Sequence, residues 1–351
     1  MSRPPRIDGV ATSTTGLVGR ALRGPADEPV LVTSLAEYER VFGGPQAGHD
    51  LLVGAQLYFG NGGRRAWAVR PGGQSRAAIR QALAALDTVD DLGLLCLPGL
   101  SGGQTLAAAA AYARSRRAFL VAEPAGTKAA TVAAAGAIAA AARGHAAIWF
   151  PRLEVPDPLQ PAARVRFGSS AAIAGLLART DLERGVWAFP AGALRRTTGP
   201  ASAIDAHGAA LLRRDGVNAI RRVQGQGIVP WGVRTVGRGR DSDEEWRYVP
   251  VRRTALYLEE SIDRGLAWAA FEPNDEPTWT RIRATVAAFL EETFQTGAFA
   301  GRTPEESYFV RCGLETTTQR EIENGVVVVE VGFAPLRPAE FVAFRIRHRL
   351  A

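Results

Sequence analysis

The stretch most suggestive of chemistry is Gly99-Leu100-Ser101-Gly102-Gly103, which fits G-x-S-x-G. A serine at the centre of that pattern can sit on a sharp strand-to-helix turn with its hydroxyl raised for attack on an acyl carbonyl. The setting fits: Leu92 to Leu97 reads as a strand and Thr105 to Arg116 as a helix. Acyl transfer also needs a base and an acid, and Asp157 or Asp181 with His207 keeps the order Ser, acid, His. The same residues have a structural reading. Gly and Ser are the usual residues of a βα turn, and Ser101 can cap the helix that follows. His145 lies at a helix end and His348 in the tail strand, neither in a recognisable catalytic context. A serine hydrolase built on Ser101 therefore stands as one function class to be weighed against others.

Other chemistries find less support. The same turn lacks the Lys-Ser/Thr pair of a phosphate-binding loop, and Gly237-Arg238-Gly239-Arg240 lacks the third glycine of a dinucleotide fingerprint. No His/Cys/Asp/Glu cluster has metal-ligand spacing, so neither metal nor cofactor is expected. Cys96 and Cys312 lie in apolar runs and read as buried thiols. The net charge is +7, but the basic residues are scattered and nearly all arginine, with Lys128 the one lysine. That distribution gives no phosphate-contacting stripe, and no nucleic-acid partner is expected. The longest Ala-rich run, Thr131 to Ala142, is too short to span a bilayer. The opening MSRPPRIDGV lacks a hydrophobic signal core. The expectation is a protein made and assembled in the cytoplasm without inserting into a membrane.

The chain has 351 residues, enough for two or three domains, and its 46% hydrophobic and 22% charged content is ordinary for a globular protein. Its middle alternates helix and strand: helix Arg76–Leu86, strand Leu92–Leu97, helix Thr105–Arg116, strand Ala118–Ala122, helix Ala129–Ala142, strand Ala146–Phe150. Such alternation predicts an α/β layered domain around a mostly parallel sheet. Before it, Ile7–Gly19 reads as the opening strand, Ser34 with Glu37 opens a short helix, a second helix covers Leu51–Phe59, and Ala66–Arg70 is a strand. After it, the prolines between Pro151 and Pro161 mark an irregular segment. Ser170–Arg179 reads as a short helix, Gly185–Phe189 as a short strand and Arg195–Ser202 as a surface link. Beyond the link, strands are expected at Asn218–Gln224 and Ile228–Val236, a loop at Gly237–Glu245, and helices at Thr254–Arg264 and Thr278–Thr296. Ile282, Val286, Phe289 and Leu290 form the apolar stripe of the last helix. Thr303-Pro304-Glu305-Glu306 then caps a turn, and Tyr308–Cys312 is a strand. The expected division is residues 1–20 as arm and opening strand, 21–200 as an α/β domain, and 201–351 as a C-terminal domain.

The tail, Gly325 to Ala351, reads as two strands joined by a Pro-containing corner. Four consecutive valines open the first, Val326–Phe333, and an unbroken apolar run predicts burial on both faces. The second, Phe341–Leu350, alternates: Val342, Phe344, Ile346 and Leu350 share one face, while Arg345, Arg347 and Arg349 share the other. A terminal strand can add to another subunit's sheet. Equally, it can be an edge strand of its own domain, protected by arginines.

Several stretches, in order along the chain, resemble the contractile tail sheath family. They include Gly9-Val10-Ala11-Thr12-Ser13, Val18-Gly19-Arg20 and Gly24-Pro25, then Ala178-Arg179-Thr180-Asp181 through Gly185-Val186-Trp187. Val217-Asn218-Ala219-Ile220-Arg221 follows, with Gly227-Ile228-Val229-Pro230-Trp231-Gly232-Val233-Arg234-Thr235, Trp246-Arg247-Tyr248-Val249 and Arg252-Arg253. Phe271-Glu272-Pro273-Asn274-Asp275 with Trp279, and Ala334-Pro335-Leu336-Arg337-Pro338-Ala339-Glu340-Phe341, complete the set. The resemblance implies an outer α/β domain, subtilisin-like in fold without protease activity, and an inner α+β domain completed by chain termini. It implies a structural subunit that polymerises helically with copies of itself around an inner tube, and meets baseplate and tail-terminator or cap proteins. Contraction would drive the tube through a target envelope. A sheath-like cap or terminator subunit is the neighbouring alternative.

Under this resemblance the inter-subunit strand falls on Phe341, Val342, Phe344, Arg345, Ile346, Arg347 and Arg349. Only eight residues precede Gly9, so the arm is expected to be short, carried by Arg6, Ile7 and Val10. Glu291 and Glu292 are candidates for inner-tube contact, although acid pairs on helices are also ordinary solvated faces. Deleting Glu340–Ala351 is expected to leave a folded protein that forms no tubes.

Overall fold

The structure is a computed structural model that describes residues 5–160, 162–237, 244–337 and 341–350. The chain divides into two compact units, Ala11–Arg252, and residues up to Val10 together with those from Arg253 onward.

The Ala11–Arg252 unit is built on the expected alternation. Its elements are β1 (Thr15–Val18), β2 (Val30–Val32), α1 (Leu35–Phe42), α2 (Asp50–Asn61), β3 (Ala66–Val69), α3 (Arg76–Ala85), β4 (Leu94–Cys96), α4 (Gly103–Ser115), β5 (Phe119–Ala122), α5 (Lys128–Ala142), β6 (Ala146–Phe150), β7 (Leu153–Pro156), β8 (Arg164–Phe167), α6 (Ser170–Arg184), β9 (Gly199–Pro200), α7 (Ala206–Arg214), β10 (Asn218–Val223) and β11 (Gly227–Trp231). Eight strands form one sheet in the order β11-β10-β6-β5-β4-β1-β3-β2. The inner neighbours from β3 to β10 are parallel, and the edge strands β2 and β11 are antiparallel to theirs. β4, β5 and β6 are buried at every position, which is why they read as continuous apolar runs. Alanines on α4 (Ala109, Ala110, Ala113) and α5 (Ala134, Ala135, Ala142) are buried with the sheet's apolar side chains.

Three expectations are corrected here. The division does not fall near residue 200: β10 pairs in parallel with β6, Asn218 opposite Trp149, so the residues after the link complete the first sheet. Gly185–Phe189 is not a strand. Gly185 ends α6 at φ 90°, and a Cβ there would lie 2.2 Å from the Trp187 indole, which folds back over it. The segment after Pro151 is not irregular throughout, because β7 pairs antiparallel with β8 and, through the former link, with β9. Helix α7 had no counterpart in the sequence reading. Asp205 opens it by accepting from the Gly208 N–H, and Ala209 and Leu212 are its buried side chains. Of the expected loop Gly237–Glu245, residues 238–243 lie outside the described residues.

The other unit contains α9 (Glu276–Gln295), α10 (Pro304–Ser307), β12 (Tyr308–Cys312), α11 (Gln319–Glu323), β13 (Val326–Phe333) and β14 (Val342–Arg349). Helix α8 (Val249–Gly265) runs across the chain division into it. Asp275 caps α9 through the Thr278 N–H. The predicted stripe Ile282, Val286, Phe289 and Leu290 is buried. Strands β12, β13 and β14 form an antiparallel sheet with β13 in the middle.

Candidate functional site

The G-x-S-x-G turn does follow a strand and precede a helix, but the triad does not assemble. Gly102, not Ser101, is the N-cap of α4, and no side chain caps that helix. Asp157 accepts from the Leu159 N–H at 2.8 Å within its own turn, and Asp181 accepts from Thr12 Oγ1 at 2.6 Å. His207 is exposed on the first turn of α7. Among the described residues no hydrogen bond joins Ser101 to a histidine.

What occupies the carboxyl end of the central strands is a different carboxylate. Glu123 follows β5 directly and is 1% exposed. It accepts from the Gly99 N–H at 3.2 Å, from the Ser170 N–H at 3.3 Å and from the Ser170 hydroxyl. Burial pushes its carboxyl above the usual range, while the Ser170 hydroxyl, the two backbone donors and the nearby Arg152 cation pull it down. Cys96, at the end of β4, is fully buried beside this group, and burial pushes its thiol well up. A thiol held neutral in this way is a packing group, not a nucleophile. In open α/β sheets the crevice at this end is the usual ligand site. Beyond β4 and β5, Glu123 and the start of α6 occupy that end of the sheet.

His145 is another buried ionisable group of the unit. Arg252 Nη2 donates to its Nε2 at 2.7 Å, so the other ring nitrogen, Nδ1, carries the proton and donates to the Ala118 carbonyl at 3.2 Å. The Arg252 guanidinium also lies over the Trp246 ring, 4.4 Å from its centroid. Burial, and then the Arg252 cation, push the His145 pKa from 6.5 down to about 3. The unfolded imidazole therefore binds a proton that the folded one refuses, between 6.5 and about 3. The histidine's contribution to stability is complete above that window and falls as pH drops through it, by up to ~1.4 kcal/mol per pH unit. Glu123, raised above 4.5, acts in the opposite sense, favouring the folded state as pH falls. Urea unfolding at about pH 7 and about pH 5 of the parent and of His145→Gln isolates the histidine, and the variant should lose less stability on acidification. An equal loss in both proteins would refute the assignment.

The terminal strand has the predicted faces. Val342, Phe344, Ile346 and Leu350 are buried, and Arg345, Arg347 and Arg349 are exposed. In this structure, however, the strand closes its own chain's sheet, with β14 pairing along β13 from Val342 opposite Phe333 to Arg349 opposite Val326. Phe341 precedes the strand, is half-exposed and packs its ring 5.9 Å from Phe309 on β12. Arg345 pairs with Glu330 and Arg347 with Glu321, each at 3.3 Å.

The residues expected to form an arm are likewise held by their own chain. Ile7 is 3% exposed and sits against Gly265, where a Cβ would lie 2.5 Å from it. The Val10 N–H donates to Ser261 Oγ at 3.1 Å, and Arg6 pairs with Glu292 at 3.2 Å. Its neighbour Glu291 accepts from the Tyr308 hydroxyl at 2.8 Å and from Gln295 at 2.6 Å. The acid pair on α9 is thus engaged within the chain, one member with the arm and one with β12.

A family profile, the phage tail sheath C-terminal domain, matches residues 241–349. The helical sheath of the anti-feeding prophage in its contracted state superposes with a TM-score of 0.79 at 30% sequence identity, covering 99% of this chain and 96% of that one. This chain belongs to the contractile tail sheath family. A second sheath, from the PVC extracellular contractile injection system in its contracted state, gives a TM-score of 0.78 at 29% identity over 97% of this chain and 93% of that one. A putative prophage major tail sheath protein of Pseudomonas aeruginosa (strain UCBPP-PA14) is 28% identical over 203 residues, 56% of this chain. The match spans about half, 49%, of that relative's own length.

Within this sheath protein the stretches that carried the resemblance act as backbone staples. Asn218 Nδ2 donates to the Arg234 carbonyl at 2.7 Å while its Oδ1 accepts from the Arg234 N–H at 2.8 Å, fastening the chain beyond β11 to β10. Trp149 Nε1 donates to the Gly232 carbonyl at 2.9 Å on the same segment. Asn274 donates to the Ile322 and Val326 carbonyls at 3.4 and 3.2 Å, and Trp279 Nε1 donates to Asn274 Oδ1 at 2.8 Å. Glu123 and Ser170 lie far apart in sequence and carry no motif, so pattern alone does not single them out. The only available signal was an acid placed directly after an apolar strand.

Proposed function

We propose that the chain is a structural subunit that polymerises helically around an inner tube and contracts to drive that tube through a target envelope. The observation that carries this reading is the near-complete correspondence, over 99% of this chain, with the subunit of a contracted helical sheath. The Glu123 cluster and the dispersed triad candidates support a mechanical role over hydrolysis at Ser101. Work would come from repacking one folded subunit between two lattices.

Within this reading β12 and β14, the edge strands of the antiparallel sheet, are where a segment of a neighbouring copy would add. The strand from Val342 to Arg349 then serves as a template for linkage, with Phe341 beside it. Glu291 and Glu292 on α9 are the proposed meeting point with the inner tube, and Glu292 keeps a 57% exposed side chain even while paired with Arg6. The baseplate is a further proposed partner, because the anti-feeding prophage baseplate structure contains a chain that matches all of this one, with a TM-score of 0.78 at 29% identity. Tail-terminator or cap proteins would close the opposite end.

Among the described residues no helix is long and apolar enough to cross a membrane. Assembly in the cytoplasm followed by incorporation into a phage tail or tail-like particle fits the proposal. The test is assembly of the purified chain with its inner tube, viewed by negative stain. Hollow cylinders sleeving the tube are expected, and discrete particles bound to the tube end would favour a cap instead.

A further inference from the structure

The Ala11–Arg252 unit has a cavity beyond the ends of β1 and β3. It measures about 340 Å³ and is lined by Arg20 and Ala21 after β1, Ala47, Gly48 and His49 before α2, and Arg70 through Gln74 after β3. Both strands are parallel members of the central sheet, and their carboxyl ends are where such sheets place ligands. Its size is that of a small-molecule site.

The chemistry of the wall is one-sided. Two arginines and a histidine line it and, among the described residues, no carboxylate does. Asp50 accepts from Arg20 Nη2 at 2.5 Å and Asp27 accepts from the Gly72 N–H at 3.1 Å, each holding a lining residue in place. Arg70 is held in place by donating from Nε and Nη2 to the Gly24 carbonyl at 3.1 and 2.9 Å. Two nitrogens of the lining side chains, Arg20 Nε and His49 Nδ1, are closed to solvent and have no hydrogen-bond partner among the described residues. Buried polar atoms are nearly always satisfied, and the Arg20 Nε–H is a donor left without an acceptor beside the cavity. Gln74 and the N-cap Ser75 bring the N-terminus of α3 to the same place, adding its positive dipole end.

We infer that this cavity binds a small polyanion through phosphate or carboxylate groups, with Arg20, His49 and Arg70 as its principal contacts. Glycines at positions 48, 72 and 73 leave room for such groups to approach the backbone. The site does not depend on sheath assembly and would be present in the unassembled chain.

The experiment is isothermal titration of the full chain with pyrophosphate, inorganic phosphate and citrate. Saturable binding of at least one of them, one per chain, is expected. Stronger binding of pyrophosphate would identify a phosphorylated ligand, and stronger binding of citrate a polycarboxylate. Arg20→Gln and His49→Phe should each weaken the best probe ~10- to 100-fold, the loss of a charge-assisted contact. Because Arg20→Gln also breaks the pair with Asp50, His49→Phe, which keeps that pair, provides an independent arm. Lys128→Gln, remote from the cavity lining, should leave binding unchanged. The inference is overturned if no probe binds, if neither cavity variant weakens binding, or if Lys128→Gln weakens it equally.

Discussion

Replacing Ile346 or Phe344 with aspartate will destabilise the C-terminal unit by about 3–5 kcal/mol each, because either change buries a carboxylate where an apolar side chain now packs. Ile346 is 2% exposed opposite Val329, and Phe344 is 8% exposed opposite Val331. Both lie on the inner face of a strand whose partner, β13, is buried along nearly its whole length. Arg345→Ala on the same strand removes a 56% exposed side chain from a surface ion pair and should shift stability by no more than ~0.5 kcal/mol. Urea unfolding of the three variants checks the contrast, and equal effects at positions 344, 345 and 346 would contradict the pairing. The same geometry revises the deletion experiment. Removing residues 340–351, of which 340 and 351 lie outside the described residues, strips β14 from Val327, Val329, Val331 and Phe333 and leaves an apolar open edge. Such an edge promotes aggregation, so a destabilised, association-prone protein is expected in place of the soluble folded one that the sequence suggested.

The second large effect is at Glu123. Glu123→Ala leaves the Gly99 N–H, the Ser170 N–H and the Ser170 hydroxyl without their acceptor in a fully buried site, a loss of about 2–5 kcal/mol. Glu123→Gln removes the charge that burial disfavours and keeps one acceptor oxygen, but its NH2 faces one of the two backbone N–H donors, so it should cost less than alanine yet still about 1–3 kcal/mol. Gly168→Ala should cost about 2–4 kcal/mol, since its Cβ would lie 1.6 Å from Glu123 Oε1. The informative construction is the pair. With the carboxylate gone, the methyl group at position 168 occupies space already vacated, and the double variant Glu123→Ala, Gly168→Ala should be more stable than the sum of the singles by ~1 kcal/mol or more. Strict additivity in denaturant unfolding would show that the two groups do not meet.

Much of this fold was legible because its signals are local. The run of strands and helices between Arg76 and Phe150 follows from apolar runs set between Ala-rich helices. The faces of β14 follow from strict alternation of Arg with Val, Phe and Ile. What escaped reading depends on distant partners. Asn218 looks like the start of a strand, and only pairing with Trp149 shows that it belongs to the first sheet. Gly185-Val186-Trp187 has the β propensity of a strand, and the fold of the Trp187 ring over Gly185 overrides it. The G-x-S-x-G match was equally local, and the Glu123 cluster beside it joins residues from three separate segments. Pattern could place the tail strand's faces, but it could not say which sheet the strand completes.

Electron cryomicroscopy of the purified chain assembled on an inner tube, before and after release of contraction, should show a helical sleeve in two lattices. The Ala11–Arg252 fold should be unchanged between them, with neighbouring chains joined along the edges of the β12-β13-β14 sheet. A chain that binds the tube only as a discrete terminal ring, or a single lattice that does not change on release, would contradict the proposed function.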